Sequence, residues 1–358
     1  MIADLAFLHK GMNRVNITIL AFTIIVISGI WIFHISTNNN DADFVQALDA
    51  LPAEFDREII ETSIESSIFT DTSSIFRPAQ IRIDNNFTYV NDFADFTIYE
   101  YDHNGDQKRK LTTTRGRGPG EIQHLTDFDV RNDTIWIADS QSMRITSYSL
   151  LTGEYIDNYS LEHRPIRVTV LEDGFVVLWL GADKLFSKFN FEGNEIHHFG
   201  EIIEDQALHQ MSLGGTIRSN KENRFVYIPY YASLIYHFDS DGNLINILKA
   251  PDGIEFPVAQ RDGPTTFAPD FSYMRDGFID KNDHLYIYTR LPDEISEENY
   301  SNELPVSYLD KYNLRNAEYV KSLRMFEHFS SVMYNPHTRT IYGADMEKSL
   351  FYLLNQDF

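Results

Sequence analysis

A repeated motif is the feature that most restricts how this chain can fold. In the motif an aromatic residue is followed three positions later by Asp, and the Asp is followed six and nine positions later by apolar or aromatic residues. Three copies keep this spacing, beginning at Tyr89, Trp136 and Tyr342. Identical spacing at separated sites indicates a repeated supersecondary unit that buries its apolar faces only against neighbouring copies.

Looser copies of the motif lie between the second and third of these, around Val176, Tyr227 and Tyr286, which makes six units. Each unit has two alternating apolar runs joined by a short polar turn, followed by a turn ending in Gly or Asn, and this pattern is typical of antiparallel hairpins. The steps between units, 40 to 59 residues, suit a four-stranded blade with variable loops. The sequence therefore predicts an all-β fold, a six-bladed β-propeller of four-stranded antiparallel blades.

The two ends of the propeller region are each incomplete. The last unit stops after about three strands, whereas residues 57–69 form an alternating stretch that belongs to no unit of its own. We expect these two fragments to share one blade, because closing the ring in this way leaves no long free edge strand. The propeller is therefore predicted to span residues 57–358.

A single apolar segment precedes the propeller. Residues 15–35 contain no charged side chain and are long enough to cross a bilayer as a helix. Lys10 and Arg14 precede this segment, whereas the acidic linker at 36–56 has no Lys or Arg, so residues 1–14 should be cytoplasmic and the propeller periplasmic or extracellular. A cleaved signal peptide is the alternative, but the apolar run is too long and lacks a small-residue cleavage site. We therefore expect a single-pass protein of the cytoplasmic membrane.

The composition excludes several classes of function. The formal net charge is -23, and an acidic surface of this strength repels phosphate backbones, so we expect no nucleic-acid partner. The chain has no Cys, which rules out disulfides, thiolate metal sites and thiol nucleophiles. Neither an H-E-x-x-H zinc motif nor a G-x-S-x-G nucleophile motif is present, so the sequence identifies no catalytic residue and no metal ligand.

The segment RGRGPGEI at Arg115–Ile122, which leads into the second motif copy, carries a family resemblance. It resembles the six-bladed propellers of Bacteroidota type, which are themselves similar to NHL and TolB-like propellers. The resemblance implies a propeller fold and a location in the cell envelope. From the residues alone, we expect Gly116, Gly118 and Gly120 to adopt positive φ at a turn between blades, with Glu121 capping backbone amides.

The Asp residues of the motif suggest either turn residues or a ring of calcium ligands. Asp92, Asp139 and Asp345 recur once per unit at the same point after a strand. Because side chains that recur in every unit are explained by the fold itself, we expect them to bind the backbone of their own turns.

A set of arginines indicates a candidate binding site. In propellers the first strand of each blade lines the central channel, and basic residues there would form an anion-binding funnel inside an acidic protein. The alternative is that these arginines form ordinary salt bridges. The candidate residues are Arg82, Arg115, Arg117, Asp129, Arg167, Arg218 and Arg275.

These observations favour a binding or scaffold propeller without a cofactor, whose partner is an envelope protein, a peptide or a glycan. The alternative, implied by the resemblance, is a calcium-dependent lactonase or esterase with its metal in the channel. A third reading is a structural part of an envelope complex that uses two predicted loops, Pro251–Pro269 and Leu291–Pro305, as contacts.

Overall fold

The computed structural model describes most of the chain from residue 55 onwards, in the ranges 55–60, 65–68, 75–84, 87–102, 104–180, 184–200, 213–253, 260–262, 265–267, 273–291, 306–325, 329–335, 340–346 and 350–355. The predicted cytoplasmic segment 1–14, the predicted transmembrane helix 15–35 and most of the linker 36–56 lie outside these ranges. Within the ranges, no helix is both long and apolar enough to cross a membrane.

Among the described residues, six large sheets occupy the compact unit that runs from Pro52 to Phe358, five of four strands and one of five. We number them blades 1 to 6 in chain order. Blade 1 consists of Pro78–Asp84, Phe87–Asp92, Thr97–Tyr101 and Gln107–Thr112. Blade 2 consists of Leu125–Arg131, Thr134–Asp139, Arg144–Ser149 and Tyr155–Ser160. Blade 3 consists of Arg164–Val170, Gly174–Leu180, Phe186–Asn190 and Glu195–Phe199.

The remaining blades follow the same order. Blade 4 consists of Gly215–Ser219, Phe225–Pro229, Leu234–Phe238 and Leu244–Lys249. Blade 5 consists of Met274–Ile279, His284–Leu291, Val306–Asn313 and Glu318–Met325, with Ile59–Ile60 added at its edge. Blade 6 consists of Ser331–Asn335, Thr340–Asp345 and Leu350–Asn355, with Glu65–Ile68 as its outer strand. Two short ribbons pair Thr114–Arg115 with Glu121–Ile122 and Gln260–Asp262 with Thr265–Phe267.

The first strands of the six blades contact one another in chain order, and the first strand of blade 6 contacts that of blade 1. This closed series of contacts is the arrangement expected of a propeller, so the predicted all-β propeller is confirmed. The motif aromatics lie on second strands and pack between blades: Trp136 of blade 2 stacks on Tyr159 and contacts Phe175 of blade 3, with ring centroids 5.5 and 5.4 Å apart. Such aromatic pairs add about 0.5–1.5 kcal/mol to the burial of their area.

The motif Asp residues bind backbone amides, as predicted for a turn role. Asp92 accepts hydrogen bonds from the N–H groups of Phe76, Arg77 and Ala94. Asp139 accepts from Gln123, His124 and Ser142 in the same manner. Each carboxylate thus connects the backbone just before the first strand of its blade to the turn after the second strand. This contact explains why the Asp recurs at fixed spacing.

The closure of the ring agrees with the prediction in one part and differs in another. Glu65–Ile68 pairs antiparallel with Leu350–Asn355, so the two ends of the propeller region share blade 6 as expected. Ile59–Ile60, predicted to belong to the same blade, instead pairs in parallel with Glu318–Met325 of blade 5. Blade 5 therefore departs from the predicted four antiparallel strands.

The physical reason for this departure is the side chain of Arg57. Its guanidinium binds both carboxylate oxygens of Asp310 at 3.0 and 2.9 Å, contacts Asp252, and lies 4.5 Å from the ring centre of Tyr308. Asp310 is fully buried in the third strand of blade 5. This charge-assisted, two-point contact holds the segment against blade 5 before the chain continues to blade 6.

Candidate functional site

A chain of polar contacts links the inner faces of all six blades, and we call it the axial network. Its members are Arg82, Asp127, Arg167, Arg218, Tyr230, Asp276 and Ser331. All but Tyr230 lie on first strands, where side chains of neighbouring blades approach each other closely. In the region of the chain that the structure describes, this network brings together three of the predicted funnel residues, Arg82, Arg167 and Arg218.

The contacts of the axial network run from blade to blade. Arg82 of blade 1 donates to Asp127 of blade 2 at 2.5 Å, and Asp127 accepts the backbone N–H of Val168 in blade 3 at 3.2 Å. Arg167 of blade 3 donates to the hydroxyl of Tyr230, which follows the second strand of blade 4, at 2.5 Å.

Blade 4 is joined to blades 5, 6 and 1 in the same way. Arg218 donates to Asp276 of blade 5 at 2.5 Å, and Ser331 of blade 6 donates to the second oxygen of Asp276 at 2.5 Å. The Ser331 hydroxyl in turn accepts the backbone N–H of Ile81 in blade 1 at 3.1 Å. Every neighbouring pair of blades is therefore connected by at least one buried or partly buried polar contact.

The charges of the axial network largely compensate each other. Burial lowers the pKa of Arg82, and the nearby positive charge of Arg218 lowers it further, while Asp127 and Asp276 act in the opposite direction. Burial raises the pKa of Asp129, which accepts the backbone N–H of Val170 and the hydroxyl of Thr169 at 2.8 and 3.2 Å. Arg82 and Arg218 are thus ion-paired, the arrangement that the sequence analysis gave as the alternative to a funnel.

Arg275 occupies a different position, beside the axial network and open to solvent. It is the extra residue of a β-bulge between Met274 and Asp276, and bulges commonly redirect a side chain at functional sites. The first strands of blades 1, 2 and 3 also contain bulges, so the bulge itself is a common feature of these blades. In blade 5 the extra residue of the bulge is an arginine.

Arg275 shares this region with Arg290, at the end of the second strand of blade 5. Although Arg275 is exposed as a whole residue, partial burial of its charged group lowers its pKa and the positive charge of Arg290 lowers it further, whereas Tyr230, Tyr288 and Tyr231 act in the opposite direction. The Nε of Arg290 is buried and has no hydrogen-bond partner among the described residues. No carboxylate of the described residues forms an ion pair with either guanidinium. We call these two residues the arginine pair.

Arg115 and Arg117 lie apart from the axial network, in the loop between blades 1 and 2. Arg115 donates to the carbonyl of Ala94 at 3.1 Å and lies 4.5 Å from the ring centre of Phe96. Arg117 donates to the side chain of Gln123 at 3.2 Å. These contacts hold the loop that carries Arg115 and Arg117 against blades 1 and 2.

The glycines of this loop correct one expectation. Only Gly120 has a positive φ, at 69°, whereas the sequence predicted positive φ for Gly116 and Gly118 as well. Those two glycines accommodate the side chain of Glu121, because an added Cβ at either would meet its carboxylate group. The predicted capping by Glu121 is confirmed, since its carboxylate accepts the N–H of Gly118 at 2.7 Å.

Sequence reasoning missed the acidic partners of the arginines, Asp127 and Asp276, and also Tyr230, Arg290 and Ser331. Asp127 and Asp276 were detectable, because each is the third residue of a first strand and each lies two positions after an apolar residue. Tyr230 and Arg290 follow or end second strands, and nothing in their local sequence indicates that they approach Arg167 and Arg275.

The channel carboxylates do not make a good calcium site. Calcium requires six to eight oxygen ligands, mostly carboxylates and carbonyls. Asp127 and Asp276 are each occupied by a guanidinium. Across the described ranges, no group of three or more His, Asp or Glu side chains could hold a metal ion.

Comparisons with known proteins agree with this architecture. Residues 69–261, just over half of the chain, match the model of the DUF5128 family, which is described as a 6-bladed beta-propeller. A search of the curated proteins finds no match to this chain.

Solved structures with a similar fold include two from Bacteroides. A member of the DUF4221 family from Bacteroides vulgatus is 11% identical, with a TM-score of 0.55 over 82% of this chain and 96% of that one. A putative exported protein from Bacteroides fragilis is 13% identical, with a TM-score of 0.53 over 83% and 98%. Virginiamycin B lyase from Staphylococcus aureus is 10% identical, with a TM-score of 0.50 over 82% and 99%. At these identities the likeness concerns the fold alone.

Proposed function

The chain belongs to the DUF5128 family of 6-bladed beta-propellers, and we propose that it is a binding propeller that captures a small anionic group at the arginine pair. The observation that carries this proposal is the pair of like charges, Arg275 and Arg290, without a carboxylate partner among the described residues. No catalytic residue enters the proposal.

The like charges of Arg275 and Arg290, on paired strands of blade 5, repel each other, and an anion bound between them would remove this repulsion. Arginine presents a planar set of donors that matches carboxylate, sulfate and phosphate in a two-point geometry. The hydroxyls of Tyr230 and Tyr231 are near enough to affect the pKa of Arg275 and would add neutral hydrogen bonds, whereas the Tyr288 hydroxyl already donates to Ser307. The net charge of -23 repels anions from the rest of the surface, so a local positive site would dominate their binding.

Because the charges in the axial network are mostly paired with each other, we propose that the ligand binds outside this network, near the protein surface. Arg82 and Arg218 are held by Asp127 and Asp276, so their charges are not available to a ligand. Arg167 is engaged with Tyr230, which in turn lies beside Arg275. Of the seven residues first proposed for the funnel, Arg275 is therefore the one we retain as a ligand contact, with Arg290 added to it.

We further propose that residues 15–35 anchor the protein in the cytoplasmic membrane, with the propeller on the outer side, as in a membrane-bound relative of NHL or TolB-like propellers. The ligand would then be an envelope peptide, protein or glycan that presents a carboxylate, sulfate or phosphate group. A calcium-dependent hydrolase remains the alternative proposal, although no contact among the described residues favours it.

The test is isothermal titration of the purified protein with citrate, sulfate and phosphate. We expect citrate to bind wild type and to bind Arg275→Gln and Arg290→Gln at least tenfold more weakly. Arg115→Gln is the matched control, because it removes an exposed arginine outside the arginine pair. Equal loss in all three variants, or no anion binding by wild type, would contradict the proposal. Stabilisation by calcium that EDTA reverses, together with ester hydrolysis, would favour the alternative.

A further inference from the structure

A pocket of about 270 Å³ lies between blades 1 and 2, away from the arginine pair. Its apolar part is formed by side chains such as Ile98 and Leu111 of blade 1 and Ile135 of blade 2. Its charged part is formed by Glu100 and Arg109, on the third and fourth strands of blade 1. The pocket therefore combines one buried acid, one base and an apolar surface.

Glu100 is the least expected residue in this pocket. Its side chain is 3% exposed, and its Oε1 accepts a hydrogen bond from Arg109 Nε at 2.9 Å. Its other oxygen, Oε2, is buried without a hydrogen-bond partner in the part of the chain that the structure describes. A buried acceptor left unsatisfied costs free energy, and more when it is charged. A ligand that donated to Oε2 would recover that free energy.

Arg109 defines the other end of the pocket. It donates its Nη1 to the carbonyl of Leu150 at 2.7 Å, and its Nε is held by Glu100. Its side chain is nevertheless 40% exposed, which leaves Nη2 accessible. Lys110, the next residue, is paired with Tyr99 and lies on the opposite face of the strand. An acidic ligand group would find a donor at Arg109 Nη2, whereas it would be repelled by Glu100.

We propose that this pocket binds a small zwitterion, namely an α-amino acid with an apolar side chain. Its ammonium group would donate to Glu100 Oε2, its carboxylate would accept from Arg109 Nη2, and its side chain would pack against Ile98, Leu111 and Ile135. A simple cation would face Arg109 and a simple anion would face a buried acid, so the zwitterion is the ligand whose two charges both find complementary partners.

The test compares three probes of one shape: L-phenylalanine, phenethylamine, which lacks the carboxylate, and 3-phenylpropionate, which lacks the ammonium group. Isothermal titration of wild type should show the tightest binding with L-phenylalanine. Glu100→Gln should weaken L-phenylalanine binding at least tenfold, whereas Glu195→Gln, at an exposed acid of blade 3, should leave it unchanged.

A second variant keeps the proposal testable if Glu100→Gln does not fold. Arg109→Gln changes a side chain that is 40% exposed, and we expect it to weaken L-phenylalanine binding severalfold while phenethylamine binding does not weaken. The inference is independent of the anion site, so Arg275→Gln should bind L-phenylalanine like wild type. Absence of L-phenylalanine binding by wild type, equal binding of all three probes, or unchanged binding in Glu100→Gln would overturn it.

Discussion

Buried carboxylates in this protein differ by the kind of donor that satisfies them. Asp92 and Asp139 accept backbone N–H groups of their turns, and Asp139 in addition lies 3.9 Å from Arg144 Nε. Asp276 and Asp310 face arginines, and each also accepts a serine hydroxyl. A buried carboxylate that loses its partner strongly destabilises the fold. We therefore expect the structure around Asp276 to depend on Arg218, and the structure around Asp310 to depend on Arg57.

His237 provides a test of stability against pH. It is almost fully buried in the third strand of blade 4, and burial together with the positive charge of Arg224 lowers its pKa to about 4, from 6.5. The unfolded chain therefore takes up a proton at higher pH than the folded protein. The contribution of His237 to stability is fully present above about pH 6.5 and is lost as the pH falls towards 4.

We expect wild type to lose roughly 2–3 kcal/mol from this residue between about pH 7 and about pH 4.5. Urea unfolding of wild type and His237→Leu at both pH values measures the difference, and the variant should lose less stability than wild type. His198→Gln, at an exposed histidine, is the control. A pH dependence that is the same in His237→Leu and wild type would refute the prediction.

At the scale of elements, the segment Arg57–Ile60 protects an edge. The outer strand of blade 5, Glu318–Met325, would otherwise present unpaired backbone groups, and exposed edges invite pairing with other chains. Ile59–Ile60 covers part of that strand, and Ser322 N–H also donates to the carbonyl of Glu58 at 2.9 Å. Only a short pairing is formed, so the side-chain contacts of Arg57 must hold the segment in place.

Replacing Arg57 tests this role. We expect Arg57→Ala to lower the free energy of unfolding by about 3–5 kcal/mol, because Asp310 would remain buried without its cation. Lys108→Ala, which removes an exposed ion pair with Asp102, should change it by less than about 1 kcal/mol. Both values can be measured by urea unfolding. Equal effects of the two substitutions would show that the Arg57 contact contributes no more than a surface pair.

At the scale of the whole molecule, closure of the ring depends on strands far apart in sequence. Blade 6 joins Glu65–Ile68 to the last strands of the chain, and the axial network links Ser331 of blade 6 to blade 1. A ring without its closing strand would expose the edge of Leu350–Asn355 and loosen the contact between the last blade and the first.

Deletion of residues 57–69 tests the closure. We expect the shortened protein to lose its cooperative thermal transition and to aggregate, because both the cover of blade 5 and the outer strand of blade 6 would be absent. Arg57→Ala is the comparison, since it disturbs blade 5 but leaves Glu65–Ile68 able to pair. Circular dichroism melting and size-exclusion chromatography provide the readouts. A deletion variant that melts cooperatively as a monomer would contradict the role of the closing strand.

The repeat made the fold predictable because its aromatic and Asp residues act within one blade or its nearest neighbour. Trp136 and Asp139 have the same spacing in sequence as Tyr89 and Asp92 because they meet the same turn and the same interface. The candidate site was predictable only in part. Arg82, Arg167, Arg218 and Arg275 were recognised as first-strand residues, but their partners were not.

The sequence by itself determined the strand repeat and the turn role of the motif Asp residues, since these follow from local periodicity and spacing. The shared closing blade was predicted from the incomplete units at the two ends of the repeat, but the pairing of Ile59–Ile60 with blade 5 was decided by the tertiary structure. Only the tertiary structure decided which arginines are compensated. Arg218 and Asp276 are 58 residues apart and meet across two blades, whereas Arg275, adjacent to Asp276 in sequence, is the extra residue of a bulge. Charge pairing across the channel depends on the register of strands in different blades, and no local pattern encodes that register.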